Sequence, residues 1–118
     1  MAEVKAVPVI SPLDEALDGL QKLKSANAET KLFHTRLADI FRMYVYRKKG
    51  LLSLQKTTDD LVVQLRELGL SKAEFDELAQ VLRLGDFVKF ARFIPSATDN
   101  EKAFETIKKS IEKIEQLN

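Results

Sequence analysis

LGDFVKFARFIPS, Leu84–Ser96, is the stretch whose reading decides the fold. As a strand, one face would carry Phe87, Lys89, Ala91 and Phe93, so burying that face would bury a cation at high cost. As a helix, Phe87, Phe90, Ala91 and Ile94 share one face, while Lys89 and Arg92 fall on the other. The helical reading sorts apolar from charged residues. It predicts a short helix capped by Asp86 after a stop at Gly85 and ended by Pro95, with Phe87, Phe90 and Ile94 in the core.

The same period recurs outward in both directions. Upstream, Ser71-Lys72-Ala73-Glu74 is a capping box opening a helix through Phe75, Leu78, Ala79, Val81 and Leu82. Before it, Thr57 or Thr58 caps a helix with Asp59 and Asp60 in its first turn, and Leu61, Val62, Leu65 and Leu68 face inward up to Gly69. Leu51, Leu52 and Leu54 lie in a connector expected to pack down. The longest helix starts near Asn27 or Ala28, with Phe33, Leu37, Ile40, Phe41 and Tyr44 in one stripe. Arg47, Lys48 and Lys49 in its last turn suit the negative dipole end, and Gly50 stops it. Ser11-Pro12 starts the first helix, which carries Leu13, Ala16, Leu17, Leu20 and Leu23 and ends near Ser25. Downstream, Thr98-Asp99-Asn100-Glu101 reads as a second capping box opening a helix with Phe104, Ile107, Ile111 and Ile114.

No segment reads as strand. The expectation is an all-α fold, a single compact bundle of five to six helices with short connections, over residues 11–118. Residues 1–10, with Pro8 and no helical period, read as a flexible tail or juxtamembrane linker.

The 118 residues fit one domain, with 45% apolar and 31% charged residues. The net charge of +1 gives no whole-molecule pull toward nucleic acid. There is no Cys, which excludes disulfides, thiolate catalysis and thiolate zinc sites. Apolar runs fall far short of the ~20 residues needed to span a bilayer. Charge is uneven, however. Residues 31–56 carry seven bases against Asp39, and residues 57–86 carry seven acids against three bases.

Signals for chemistry are absent. His34 is the sole His, without the convergent ligands a metal site needs, and it is expected at the edge of its helix's stripe. Asp59/Asp60, in a helix's first turn, and Asp76/Glu77, on an exposed face, are paired carboxylates, not in an apolar site that would tune them for acid–base work. No glycine-rich phosphate loop exists. The chain reads as a non-enzyme with no cofactor and no small-molecule substrate. LVVQLRELGLSKAEFDELAQVL has a helix-turn-helix layout, so a nucleic-acid-binding module is the alternative. Its second helix opens with Glu74, Asp76 and Glu77 where phosphate contact wants bases. The candidate partner surface is Arg42, Arg47, Lys48 and Lys49, with Lys89 and Arg92.

Two blocks carry a family resemblance. The first is LFHTRLADIFRMYVYRKKG followed by Thr57-Thr58-Asp59-Asp60-Leu61; the second is GDFVKFARFIPSATDNEKAFE. Their order resembles the C-terminal cytoplasmic helical domain of BatD-like and related uncharacterised bacterial membrane proteins. The matching residues are Leu37, Ile40, Arg42, Tyr44, Gly50, Thr57, Thr58 and Asp59, then Asp86, Val88, Lys89, Phe90, Ala91, Arg92 and Pro95. Phe41 stands where the family often has a second Arg, and Lys48-Lys49 replaces an aromatic before Gly50. The resemblance implies a domain that follows a transmembrane helix, on the cytoplasmic side of the bacterial inner membrane, with a protein partner. It brings no catalytic residues with it.

Overall fold

The computed structural model describes residues 10–90 and 92–117. Five α-helices follow in chain order: α1 (Pro12–Ala26), α2 (Thr30–Lys49), α3 (Thr58–Leu65), α4 (Lys72–Lys89) and α5 (Ala97–Gln116). A 3-10 turn, Ser53–Gln55, lies between α2 and α3, and another, Arg66–Leu68, extends α3. The described residues contain no strand, so the fold is the expected all-α bundle. The tail reading of residues 1–10 falls, apart from Ile10, outside the described residues.

Local chemistry sets the helix ends. Ser11 Oγ accepts the Asp14 amide at 3.0 Å, and Pro12 occupies the first turn, where its missing N–H costs nothing. Thr57 Oγ1 accepts the Asp60 amide at 3.2 Å to start α3. Ser71 and Glu74 form the expected reciprocal box at the start of α4. Gly50 and Gly69 end their elements with φ of 71° and 87°, a left-handed conformation that glycine adopts without a Cβ clash.

Helix α2 is the hub, packing against α1, α4 and α5 as well as the connector that follows it. Its Leu37, Phe41, Tyr44 and Val45 meet Leu20 and Leu23 of α1, Leu61 and Leu65 of α3, Leu78 and Leu82 of α4, and Ile107, Ile111 and Ile114 of α5 in one core cluster. His34 is buried with them at 2% exposure, not at the edge of the stripe as the sequence reading placed it. Its position is in phase with Leu37, Phe41 and Tyr44, three, seven and ten residues on, which puts it on the inner face.

Three expectations about the opening stretch fail. Gly85 does not stop α4, which runs unbroken to Lys89, and Gly85 has no positive φ. Among the described residues there is therefore no separate helix between α4 and Pro95. Phe87, Phe90 and Ile94 are exposed at 54%, 66% and 89%, whereas Val88 is buried. Helical phase explains this. Val88 follows Val81 by seven residues, so it lies within about 20° of a core position. Phe87 and Phe90 follow exposed Arg83 by four and seven, so they continue the outer face. A fresh phase begun at Asp86 inverts that assignment. The placement expected for Ala91 lies outside the described residues.

Two smaller corrections follow from hydrogen bonding. The N-cap of α5 is Ser96, not Thr98. Ser96 Oγ accepts the Asp99 amide at 3.1 Å, and Asp99 Oδ2 accepts the Ser96 amide at 2.9 Å. Of the connector leucines only Leu51 packs on the core, while Leu52 and Leu54 are exposed. The connector is fastened by polar bonds, with Ser53 as its buried side chain.

Candidate functional site

The connector's fastener is Arg42, half-buried on α2. Its Nη1 donates to the carbonyls of Ser53 at 2.5 Å and Lys56 at 2.6 Å, and Nη2 donates to Thr58 Oγ1 at 3.3 Å. Ser53 Oγ donates back to the Arg42 carbonyl at 2.6 Å. The geometry closes the connector over the side of α2 and fixes where α3 begins.

A cleft of about 420 Å³ opens beside this junction. Its walls are α2 from His34 to Arg42, the connector and α3 start from Leu54 to Thr58, and α4 from Leu82 to Lys89 with its C-cap Phe90. Arg42, Lys56 and Lys89 line it, with Asp39 and Asp86 as the acids. Leu54 and Phe90 supply exposed apolar surface at the same walls. The Lys89 ammonium stands 6.0 Å from the Phe90 ring centroid, within cation–π range.

The six cations of the expected partner surface take different positions. Arg42 and Lys89 meet at the cleft, which adds Lys56. Arg47 reaches toward the start of α1, where Nη2 donates to the Ile10 carbonyl at 2.7 Å and Nη1 lies 3.3 Å from Glu15 Oε2. Lys48 donates to Glu115 Oε2 at 3.1 Å near the end of α5. Lys49 is half-buried in the same turn, and its charge also acts on Glu115. Arg92 is exposed beyond α4, its amide donating to the Phe87 carbonyl at 2.9 Å.

Glu115 also accepts the Tyr44 hydroxyl at 2.8 Å. The hydroxyl bond from Tyr44 and the ammonium bond from Lys48 hold its carboxyl below the ordinary range. Burial, with the bond to and charge of Glu115, pushes Tyr44 well above the ordinary phenol range. This trio joins α2 to α5.

Buried His34 has Nε2 2.7 Å from Asn100 Oδ1. An amide oxygen only accepts, so Nε2 is the donor in this pair. Near it, Phe33 and Phe104 stack at 6.4 Å along a second cavity of about 360 Å³, with Lys24 5.7 Å from the Phe104 ring. Among the described residues no group of three or more His, Asp or Glu could hold a metal ion. No described helix is long and apolar enough to cross a membrane. Helices α3 and α4 do meet around a turn at Gly69, and the first turns of α4 present Glu77 beside a Lys72–Asp76 ion pair of 3.0 Å.

Sequence reasoning grouped Lys56 with Arg42 as part of one basic stretch but missed Asp39 and Asp86 as companions, and did not join Lys56 to Lys89. They are 14, 3, 44 and 47 residues from Arg42 in the case of Lys56, Asp39, Asp86 and Lys89, so only tertiary packing brings most of them together. The buried position of His34 was legible from helical phase. Comparisons with protein-family models, with curated proteins and with solved structures find no match to this chain.

Proposed function

We propose that this chain is a non-enzymatic, protein-binding cytoplasmic domain of a membrane-anchored bacterial protein, and that it docks its partner on the cleft between α2, the connector and α4. The membrane-anchored reading rests on the resemblance to the BatD-like cytoplasmic domain. One observation carries the choice of surface. The two sequence blocks behind that resemblance meet at this cleft, the first through Arg42, Thr57 and Thr58 and the second through Asp86, Lys89 and Phe90. Exposed Phe87 beside exposed Phe90 favours the same place, because clustered exposed aromatics mark interaction surfaces.

The test is affinity capture from the source organism's extract with the wild-type chain, a Lys89→Glu/Phe90→Ala variant and an Arg47→Glu/Lys48→Glu variant. One protein recovered in stoichiometric amount by the wild type and lost by the cleft variant is the expected result. Equal recovery by the wild type and the cleft variant overturns the assignment. The anchor is tested separately: the gene's upstream sequence is expected to encode a membrane span shortly before Ser11.

A further inference from the structure

We infer that the cleft recognises a segment of a partner protein that inserts one acidic side chain among Arg42, Lys56 and Lys89 and lays apolar neighbours on Leu54 and Phe90. The inference deepens the protein-binding reading above and rests on it.

Hydrogen-bond capacity is the first argument. A guanidinium carries five N–H donors. The bonds of Arg42 use both Nη1 hydrogens and one on Nη2. The Nε–H and the second Nη2–H have no acceptor among the described residues. All three acceptors are neutral oxygens, and no carboxylate among the described residues lies within ion-pair distance of Arg42. A half-buried guanidinium so placed holds two donors for an incoming carboxylate, whose charge-assisted bonds are the strong kind.

Charge count is the second argument. Arg42, Lys56 and Lys89 line the cleft against Asp39 and Asp86. Neither lysine and neither aspartate has an ion-pair partner among the described residues. The walls therefore carry one uncompensated positive charge, which a single carboxylate balances. A run of acids would meet Asp39 and Asp86, so the cleft selects against a polyacidic stretch as well as against a basic one. The start of α3 adds little to this field, because Asp59 and Asp60 already occupy its first turn.

Apolar surface is the third. Phe90 and Leu54 are exposed at 66% and 45% while lining the same walls. A polar anion such as phosphate leaves them in water, whereas a peptide covers them and the cations together.

The test is a two-dimensional amide NMR titration of the whole chain with capped hexapeptides. The first is Ser-Leu-Phe-Glu-Leu-Ser, and the others replace Glu by Gln or Lys. The Glu peptide is expected to move the amides of Lys56, Thr58, Gly85, Lys89 and Phe90. It should bind about tenfold more tightly than the Gln peptide, the worth of one charge-assisted contact. The Lys peptide should bind least. Lys89→Glu, an exposed change that leaves the fold intact by circular dichroism, should remove the preference for Glu. Equal affinity for the Glu and Gln peptides overturns acid recognition; if Phe90→Ala still abolishes partner capture, the protein-binding reading survives that result. Shifts lying outside the cleft, or binding only when the peptide's C-terminal carboxylate is left free, also overturn it. So does sedimentation with phosphatidylserine vesicles that Phe90→Ala abolishes, since the surface then belongs to a bilayer.

Discussion

Arg42 Nη1 lies 2.6 Å from the carbonyl oxygen of Lys56, across a connector whose own 3-10 bond, Lys56 N–H to the Ser53 carbonyl, is long at 3.5 Å. The same nitrogen holds Ser53, so one side chain of α2 ties both ends of the 3-10 turn. Arg42→Met removes the donors, stranding the part-buried Lys56 carbonyl and leaving the Ser53 carbonyl only its long bond from the Lys56 amide. The expected loss is about 2–4 kcal/mol, from bonds to a charged donor plus the stranded acceptor. Urea unfolding followed by circular dichroism measures it. Arg42→Lys is expected to recover only part, because an ammonium lacks the planar fork that reaches both carbonyls. Thr58→Val, which removes only the 3.3 Å bond, should cost less than about 1 kcal/mol.

Phe87 and Phe90 continue the outer face of α4, so truncating them empties no core site. Phe87→Ala and Phe90→Ala should each change stability by no more than about 0.5 kcal/mol. Ile107→Ala, at a fully buried position on α5, should cost about 2–5 kcal/mol. The contrast is read from urea midpoints at constant slope. A loss of about 3–5 kcal/mol for Phe87→Ala, the figure for a buried Phe, means that the helical phase after Gly85 is different.

The pattern of success and failure has a physical origin. Caps and glycine stops are short-range chemistry, so Ser11, Ser71, Gly50 and Gly69 were legible where they stand, and the cap of α3 to within Thr57 or Thr58. The core stripes of α3 and α5 follow a period that no other choice satisfies. Gly85 misled because glycine's weak helix propensity, about 1 kcal/mol against Ala, is a local penalty. Burial of Val88 beyond it fixes the phase from outside the segment. Four of the six cations of the expected surface, Arg42, Arg47, Lys48 and Lys49, cluster in sequence. Arg47 and Lys48, near neighbours on α2, instead reach Glu15 on α1 and Glu115 on α5. Nothing local shows which acid each will find, nor that Arg42 will spend three donors on its own connector.

The Tyr44–Glu115–Lys48 trio sets an acid dependence. Glu115 is held below its ordinary value in the folded chain, so it contributes stability above about pH 4.5 that is lost as pH falls through its folded value. Tyr44 is raised, so its contribution is complete below about pH 10 and is lost as pH rises above that. Glu115→Gln should therefore flatten the decline in stability between about pH 4.5 and pH 3. Some decline should remain, because Ser71 bonds hold Glu74 low in the same window. Tyr44→Phe should cost about 1 kcal/mol at pH 7, the worth of its hydroxyl bond, and reduce the same acid slope. Thermal melts across pH 3–8 give both numbers. An unchanged acid slope in both variants overturns the assignment.

Gly85 sits in the body of α4 and in the wall of the cleft, and those two positions pull in opposite directions. A Cβ built there meets nothing within 4 Å, and the backbone is not left-handed. Gly85→Ala should thus raise stability by about 0.5–1 kcal/mol, since alanine has less backbone entropy to lose in a helix. The added methyl enters the cleft, where it competes with whatever the walls receive. Affinity for the Glu hexapeptide and for the captured partner should fall as stability rises, a trade typical of a functional surface. Chemical denaturation and the NMR titration on one sample separate the two effects. A variant that is more stable and binds as well as the wild type places the docking surface away from α4's wall.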